Sequence, residues 1–206
     1  MLQPQAVIFD IGNVLIEWNP ERFYDGRIGA ERRAAFMDQV PIQAANLAID
    51  AGAPFRQTLV DLATAYPAWA TEIMWWHDDW RLMVDPVIPQ SVLMLRALRG
   101  RGVPVFALTN FGAETFDYAL TQFDFLNEFD RAYVSGKLGL IKPDPALYAH
   151  VEADCGITPD RLLFVDDRPE NIVAAARRGW RVHQFESPQG FAARLFAEGL
   201  LQESDL

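Results

Sequence analysis

Cysteine and positive charge are both scarce in this sequence. Cys155 is the single cysteine among 206 residues, so an intramolecular disulfide and a metal cluster built from cysteines are excluded. Asp and Glu number 28 against 18 Lys and Arg, which gives a formal net charge of -10 at pH 7. Proteins that bind nucleic acid nonspecifically depend on clustered Lys and Arg. We therefore expect no nucleic-acid partner.

Long apolar runs are missing as well. The chain is 50% hydrophobic, as a globular protein is, but no stretch reaches the roughly 20 apolar residues of a membrane span. The N-terminal segment MLQPQAVIFD also lacks a basic part that leads into a long apolar one. We expect a soluble, cytoplasmic protein that has no membrane partner. No pattern in the sequence specifies its oligomeric state.

Short apolar segments recur along the chain and predict strands. Each is rich in Val, Phe or Leu and is bounded by Gly, Pro or polar residues, as strands buried on both faces are. They are AVIFD (6–10), VPVFALTN (103–110), RAYVSG (131–136), RLLFVDD (161–167) and, with a weaker pattern, WRVHQF (180–185). From residue 90 onward, helical patterns separate them. This alternation predicts an α/β fold whose parallel strands are joined by right-handed crossovers.

Residues 17–88 do not show this alternation. Their patterns indicate helices rich in Ala, Arg, Glu and aromatic residues, and we predict no strand among them. The predicted organisation is a core formed by residues 1–16 and 89–206, with a helical insert at 17–88. Within the insert, IMWWHDDW (73–80) places Trp76 and Trp80 on one helical face, which predicts that both pack against neighbouring elements.

Polar side chains gather where the predicted strands end. They are Asp10, Thr109, Asn110, Asp166, Asp167 and, in the loop GLIKPDP, Lys142. Because ligands of open parallel sheets bind outside the carboxyl ends of the strands, we expect these side chains to face one crevice. Taken singly, each has an ordinary explanation, since Asp after a strand often forms a turn and Thr or Asn often starts a helix. Their joint placement favours a functional site.

The chemistry of this set indicates phosphoryl transfer. Carboxylates from different strands can hold Mg²⁺, which prefers oxygen ligands and completes its shell with water and substrate phosphate. Lys142 and the metal would neutralise the phosphoryl oxygens, and the Thr109 hydroxyl would orient them. Asp10 could then attack phosphorus, since aspartate can form an acyl-phosphate intermediate.

Four segments, in this order, resemble the motifs of the haloacid dehalogenase superfamily: VIFDIGNV, FALTN, LIKPDPALY and LLFVDDRPENI. The resemblance is to its small phosphatase-like members, which carry a helical cap inserted after the first motif. It implies a Rossmann-like core, a helical cap at 17–88, and hydrolysis of a small phosphorylated metabolite. It also implies that Asp10 is the nucleophile and that Thr109, Asn110 and Lys142 bind the phosphate.

The same resemblance implies a metal site. Mg²⁺ would be held by Asp10, the carbonyl of Gly12 and the acid pair that follows the fourth segment. Within that pair, Asp167 is the expected direct ligand, with Asp166 supporting it or reaching the metal through water. Asn171, one turn into the next helix, is expected to support these ligands.

Gly12 departs from the usual Asp-x-Asp form of the first motif. In typical relatives the second Asp protonates the leaving group and later deprotonates the attacking water. Gly12 keeps the backbone carbonyl but has no side chain for this work. The rate should therefore depend steeply on the leaving group, unless another residue, such as His77 or Glu17, replaces the missing carboxylate.

Three other functions fit parts of the pattern. A 2-haloacid dehalogenase also uses the first Asp as nucleophile, but such enzymes are metal-free, and the pair Asp166 and Asp167 would repel a haloacid carboxylate. A receiver-like module combines similar residues in the reverse order along the chain. A catalytically weak family member that binds phosphate and Mg²⁺ stays open because of Gly12.

Overall fold

Parallel strands form the centre of the fold in the computed structural model, which describes residues 3–206. The strands are β1 (Ala6–Phe9), β2 (Ile16–Trp18), β3 (Val84–Val87), β4 (Val105–Thr109), β5 (Arg131–Val134), β6 (Leu162–Asp166) and β7 (Arg181–Gln184). The main sheet has the order β5-β4-β1-β6-β7, and each neighbouring pair in it is parallel. Every segment predicted as a strand contains one, so the predicted α/β fold is confirmed.

Helices connect these strands and also fill the insert. Those of the insert are α1 (Pro20–Gln39), α2 (Ile42–Asp50), α3 (Phe55–Ala65), α4 (Ala70–Asp78) and α5 (Trp80–Met83). Those that follow are α6 (Pro89–Gly100), α7 (Ala113–Gln122), α8 (Ser135–Leu138), α9 (Pro145–Cys155), α10 (Pro169–Arg177) and α11 (Pro188–Ala197). Within residues 3–206, no helix is both long enough and apolar enough to cross a membrane.

The main sheet is covered by helices on both faces because alternate side chains of each strand point in opposite directions. Val7 and Phe9 of β1 belong to one buried cluster with residues of α6 and α11. Ala6 and Ile8 belong to the other cluster, with residues of α9 and α10. β1 lies at the centre of the sheet and is buried on both sides, so the residue that follows it is held in a fixed position.

The insert is joined to the sheet by a short antiparallel ribbon. In it, β2 pairs with β3, with Ile16 opposite Val87 and Trp18 opposite Val84. The prediction that residues 17–88 contain no strand is therefore wrong at both ends of the range. Strands of 3 and 4 residues are too short to show a hydrophobic period, and Pro86 inside β3 argues against a strand by composition. Below, the word cap denotes helices α1–α5, Pro20–Met83.

Aromatic residues fill the interior of the cap. Tyr24 and Trp76 are fully buried, and the Tyr24 hydroxyl donates a hydrogen bond of 2.8 Å to the carbonyl of Glu72. The ring of Trp18, on the ribbon, lies 5.7 Å from that of Trp76 and 6.4 Å from that of Trp80. The predicted packing of Trp76 and Trp80 is confirmed, and it ties the cap to the ribbon that carries it.

A second set of contacts joins the cap to helices α7 and α8, which follow β4 and β5. The Ser135 hydroxyl donates to the carbonyl of Asp50 at 2.6 Å, and the Phe55 N–H donates to Glu114 at 2.9 Å. Gly136 lies at this junction without space for a side chain. A Cβ atom there would be 2.5 Å from the nitrogen of Ala113, which is a backbone atom that cannot rotate away.

Gly136→Ala should therefore destabilise the protein. Overpacking of this kind costs about 1–3 kcal/mol, and the change should appear as a lower midpoint in urea unfolding. The matched control is Gly26→Ala in helix α1, where an added Cβ meets nothing within 4 Å. Because Ala favours a helix over Gly by about 1 kcal/mol, this control should be neutral or stabilising. Equal midpoints for the two variants would contradict the tight junction at Gly136.

Candidate active site

Neighbouring strands deliver the central residues of the site. Asp10 directly follows β1, Thr109 ends β4 and Asp166 ends β6. Since β4 and β6 flank β1, these carboxyl ends lie side by side. The N–H of Asp10 donates to the carbonyl of Val165 at 2.9 Å, which extends the sheet pairing by one residue. The structure thus brings together residues that are far apart in the sequence, as predicted from their strand-end positions.

Lys142 lies between two of the carboxylates. Its Nζ is 2.9 Å from Oδ1 of Asp10 and 2.7 Å from Oδ2 of Asp166. The exposed fraction is 3% for Lys142, 7% for Asp10 and 0% for Asp166. Charges so deeply buried are tolerated only when they are paired, so the three groups form one electrostatic unit.

Asn110 holds the backbone of Lys142. Its Nδ2 donates to the Lys142 carbonyl at 2.9 Å, and its Oδ1 accepts from the Lys142 N–H at 2.8 Å. Asn110 is a predicted phosphate-binding residue, but the structure places both polar atoms of its side chain on the Lys142 backbone. Its evident effect is to fix the loop that carries the ammonium group.

Burial and charge shift the pKa values in this unit. Burial raises the pKa of Asp10 to about 7, although Lys142 opposes the shift, while the carboxylate of Asp166 adds to it. Burial alone would lower the pKa of Lys142, but the carboxylates of Asp10 and Asp166 hold it above its ordinary value. Lys142 is therefore charged at neutral pH, and a further cation near Asp10 would favour its ionised form.

The acid pair at the end of β6 divides into a buried and a cleft-facing member. Asp166 accepts hydrogen bonds from Arg168 N–H at 2.8 Å and from Nδ2 of Asn171 at 3.0 Å on each oxygen. Asp167 lines the cleft, and its Oδ2 accepts from Nδ2 of Asn13 at 3.0 Å. Burial raises the pKa of Asp167, while the Asn13 hydrogen bond opposes this shift. Asn171, which was predicted to support the metal ligands, thus contacts Asp166.

The three carboxylates suit a divalent cation that prefers oxygen. One oxygen each from Asp10, Asp166 and Asp167 lies within 4.8 Å of the others. Because protein groups already donate to both oxygens of Asp166, Asp10 and Asp167 retain more capacity to bind a cation. Gly12 also lines the cleft beside them. This donor set fits Mg²⁺, which takes carboxylate, carbonyl and water oxygens.

Asn13 is a site residue that the sequence analysis missed. Its Oδ1 accepts from the N–H of Trp18 at 3.0 Å while its amide holds Asp167, so it links the ribbon to the acid pair. Its φ of 56° lies in the left-handed region, which Asn tolerates better than most residues. The signal available in the sequence was Gly-Asn directly after a strand-end acid, a common turn pair.

A cleft of about 250 Å³ lies between the carboxyl end of the sheet and the cap. Apolar and aromatic side chains form much of its wall, namely Ile16, Trp18, Leu47, Ile49, Phe55, Trp80, Val84 and Phe111. Asp10, Thr109, Lys142 and Asp167 lie at one end. The rest of the lining mixes these apolar side chains with polar ones, namely Asn13, Gln43, Asn46, Asp50, Asn110, Thr115, Arg168 and Asn171.

The two residues suggested as substitutes for the missing acid lie elsewhere. Nδ1 of His77 is 2.7 Å from Oδ1 of Asp78, and the imidazole lies against the ring of Phe55. Glu17 forms an ion pair of 2.7 Å with Arg22. Among residues 3–206, neither His77 nor Glu17 belongs to the lining of the cleft.

Comparison with known proteins agrees with the fold. A family model described as haloacid dehalogenase-like hydrolase matches residues 4–179. The chain belongs to this family, and it is a hydrolase. The family and the parallel-sheet core are thus those that the resemblance implied.

Individual relatives include enzymes named for two chemistries. A sesquiterpene phosphatase of Aspergillus oryzae is 28% identical over 195 residues, which covers 85% of this chain and 86% of the relative. A family enzyme from Bacteroides thetaiotaomicron, solved with magnesium and inorganic phosphate, superposes with a TM-score of 0.65 at 19% identity, covering 87% of this chain and 93% of its own. The L-2-haloacid dehalogenase of Xanthobacter autotrophicus, solved with covalently bound chloropropionic acid, superposes with a TM-score of 0.62 at 19% identity, covering 97% of this chain and 85% of its own. At such identities the two structures show a shared fold alone.

Lys142→Met should remove the charge that makes this site possible. Without the ammonium, the charge of Asp166 is no longer offset and the pKa of Asp10 rises further. We therefore expect kcat/KM for hydrolysis to fall by at least ~100-fold. The control is Lys137→Met in the same stretch of chain, because Lys137 pairs with Asp117 at the surface at 2.6 Å. Its kcat/KM should stay within about twofold, since exposed pairs contribute little. Similar losses in both variants would show that Lys142 has no special place in the site.

Proposed function

We propose that the protein is a Mg²⁺-dependent phosphatase that hydrolyses a small phosphorylated metabolite through an aspartyl-phosphate on Asp10. The observation that carries the proposal is the buried unit of Asp10, Lys142 and Asp166, with Asp167 beside it at the open end of the sheet. A paired ammonium and three convergent carboxylates suit a metal and a phosphoryl group. The phosphatase among the relatives supports the same conclusion.

The residues at the charged end of the cleft have separate roles in this reaction. The N–H of Ile11 and Nζ of Lys142 both donate to Oδ1 of Asp10, at 2.8 and 2.9 Å, so Oδ2 is assigned as the attacking atom. Lys142 offsets negative charge on the nucleophile and on the phosphoryl group. The Thr109 hydroxyl, at the end of β4, is assigned to orient a phosphoryl oxygen. Asn110 keeps Lys142 in place through its backbone.

Mg²⁺ would be held by Asp10, Asp167 and the carbonyl of Gly12, and Asp166 and Asn171 would support these ligands. When bound, it would neutralise phosphoryl oxygens and lower the repulsion between the substrate and Asp10. The other contributions come from the chain itself, since Asn13 and Asn171 fix the acids and Lys142 supplies a permanent positive charge.

The walls of the cleft favour a substrate whose organic part is uncharged and largely apolar. Apart from Asp50, the cap contributes Gln43, Asn46, Leu47, Ile49, Phe55 and Trp80 to the lining. No basic side chain of the cap, residues 20–83, lines the cleft, so a second anionic group on the substrate would find no partner in the cap. The basic lining residue besides Lys142 is Arg168 of the core, which pairs with Glu170 at 2.6 Å. The sesquiterpene phosphatase, named for an apolar substrate class, is consistent with this specificity.

The dehalogenase alternative is disfavoured by the charge of the site. A haloacid must bring its own carboxylate close to the nucleophile. Here the oxygens of Asp166 and Asp167 lie within 4.8 Å of that of Asp10, and they would repel it. A haloacid is nevertheless the right control, because both reactions begin with attack by the same aspartate.

Activity against phosphate esters should require Mg²⁺ and Asp10. Excess chelator should abolish hydrolysis of an aryl phosphate, restored Mg²⁺ should recover it, and Asp10→Asn should lower it by at least ~1,000-fold, because its amide is a poor nucleophile. Phosphate release measured with purified protein checks all three. Asp167→Asn should instead raise the Mg²⁺ concentration needed for half-maximal rate.

Two further arms decide between the alternatives. Full phosphatase activity in chelator would refute the mechanism, and halide release from a 2-haloacid would favour the dehalogenase.

Within a substrate panel, a monophosphate of an apolar alcohol should be preferred to one that carries a second phosphate or a carboxylate. The opposite preference would contradict the apolar specificity but not the phosphatase activity.

A further inference from the structure

The cleft contains a carboxyl group that the proposed mechanism has not used. Among residues 3–206, its acidic lining residues are Asp10, Asp167 and Asp50. Asp50 is the last residue of helix α2 and therefore belongs to the cap. Gly12, where relatives with the Asp-x-Asp form carry an acid, has no side chain. The cleft thus lacks the second acid of the first motif but receives a carboxyl group from the cap.

The core and the cap together hold Asp50 in place. Its Oδ2 accepts from Nδ2 of Asn46 at 2.9 Å, and the N–H of Gly112 also donates to its carboxyl group. Its own carbonyl accepts from the hydroxyl of Ser135 at 2.6 Å. Gly112 lies in the loop after Thr109, so the loop that carries a predicted phosphate ligand also fixes this carboxyl group.

The surroundings of Asp50 suit exchange of a proton near neutral pH. Burial raises the pKa of Asp50 to about 7, against the hydrogen bond from Gly112, the charge of Lys142 and the amide of Asn46. Lys142 is the charged group that acts on it from the core. On α7, Glu114 is occupied with the N–H of Phe55 at 2.9 Å. A group that is partly protonated at neutral pH can both give and take a proton.

We infer that Asp50 is the general acid and base of the reaction and replaces the side chain that Gly12 lacks. The inference rests on the proposed phosphatase function. In the first half-reaction, a bond forms between Oδ2 of Asp10 and phosphorus while the ester P–O bond breaks. The proton of the Asp50 carboxyl group passes to the departing oxygen, so the alcohol leaves neutral.

The second half-reaction returns the proton. A water oxygen bonds to phosphorus, the bond between phosphorus and Asp10 breaks, and one proton of the water passes to the Asp50 carboxylate. Inorganic phosphate leaves, and both aspartates regain their starting states. Because Asp50 belongs to the cap, it can protonate the leaving group only while the cap lies over the core. Phosphoryl transfer to Asp10 would therefore be slow if the cap moved away from the core.

The decisive experiment varies the leaving group. Wild-type kcat/KM should depend weakly on alcohol acidity, because Asp50 protonates the poor leaving groups. Asp50→Asn should lower kcat/KM for a primary alkyl phosphate by about 10²–10⁴-fold, with a much smaller loss for 4-nitrophenyl phosphate, whose anion departs unaided. The matched control is Asp61→Asn, which should change kcat/KM for neither ester. Asp61 is an exposed carboxylate of the cap that accepts a hydrogen bond of 2.7 Å from Gln57.

A rescue separates catalysis from a purely structural role. A Cβ added at Gly12 would meet only the Cβ of Trp18, at 3.9 Å, so the position accepts a side chain. Adding Gly12→Asp to the Asp50→Asn variant should raise the rate on the alkyl phosphate at least about tenfold over Asp50→Asn alone. If Asp50 served only to dock the cap, a carboxylate at position 12 would not restore the rate. Wild type provides a test without substitution, because the alkyl phosphate rate should fall above pH 7 more steeply than the 4-nitrophenyl phosphate rate.

The outcomes distinguish the two proposals. Equal losses for all esters in Asp50→Asn, or no rescue by Gly12→Asp, would refute the role of Asp50 and leave the phosphatase intact. Parallel pH profiles for the two esters in wild type would refute it as well. Failure of wild type to hydrolyse any ester, including 4-nitrophenyl phosphate with Mg²⁺, would refute the phosphatase function and this role together.

Discussion

The site depends on one ion triad, in which the ammonium of Lys142 lies between Asp10 and Asp166. Carboxylates at the ends of adjacent buried strands would repel each other, and burial would favour their neutral forms. Lys142, 2.9 and 2.7 Å from the two acids, offsets this repulsion and opposes the effect of burial on the pKa of Asp10. Breaking a buried pair by removal of one partner typically costs about 3–5 kcal/mol. The arrangement is therefore costly to lose, and Asn110 and Asn171 fix its members.

The parallel sheet and the cap make different contributions to the proposed activity. The sheet supplies a rigid, charged end in which every acid is held by an N–H, an amide or Lys142. The cap supplies apolar side chains, the amides of Gln43 and Asn46, and the carboxyl group of Asp50. Contacts at Ser135 and Gly112 join the two parts near Thr109, so substrate selection and proton transfer are both connected to the position of the cap.

The sequence allowed the sheet and the strand-end residues to be predicted because both follow from local pattern. Buried strands have a recognisable composition, and parallel topology brings their carboxyl ends to one edge. The ribbon strands β2 and β3 escaped prediction because they are too short to show a period. The contact between Asn110 and the Lys142 backbone, and the approach of Asp50 to the cleft, depend on tertiary packing and leave no mark in sequence spacing.

The sequence nevertheless indicated positions whose partners depend on tertiary packing. Gly12 showed that an acid was missing, but only the structure brings Asp50 of α2 to the same cleft, while His77 and Glu17 lie outside it. Asn13 was visible as a turn residue, yet its contact with Asp167 requires β1 and β6 to be neighbours. Residues of this kind are predictable as types of side chain, but their partners depend on the fold.

The phosphoryl group on Asp10 is the most direct test of the account. Enzyme mixed with Mg²⁺ and 4-nitrophenyl phosphate can be quenched in acid during turnover, digested, and analysed by mass spectrometry for the site of phosphorylation. The account predicts one phosphoryl group on the peptide that contains Asp10, labile to base and absent when Mg²⁺ is chelated. A phosphoryl group on any other residue, or turnover with none on Asp10, would contradict it.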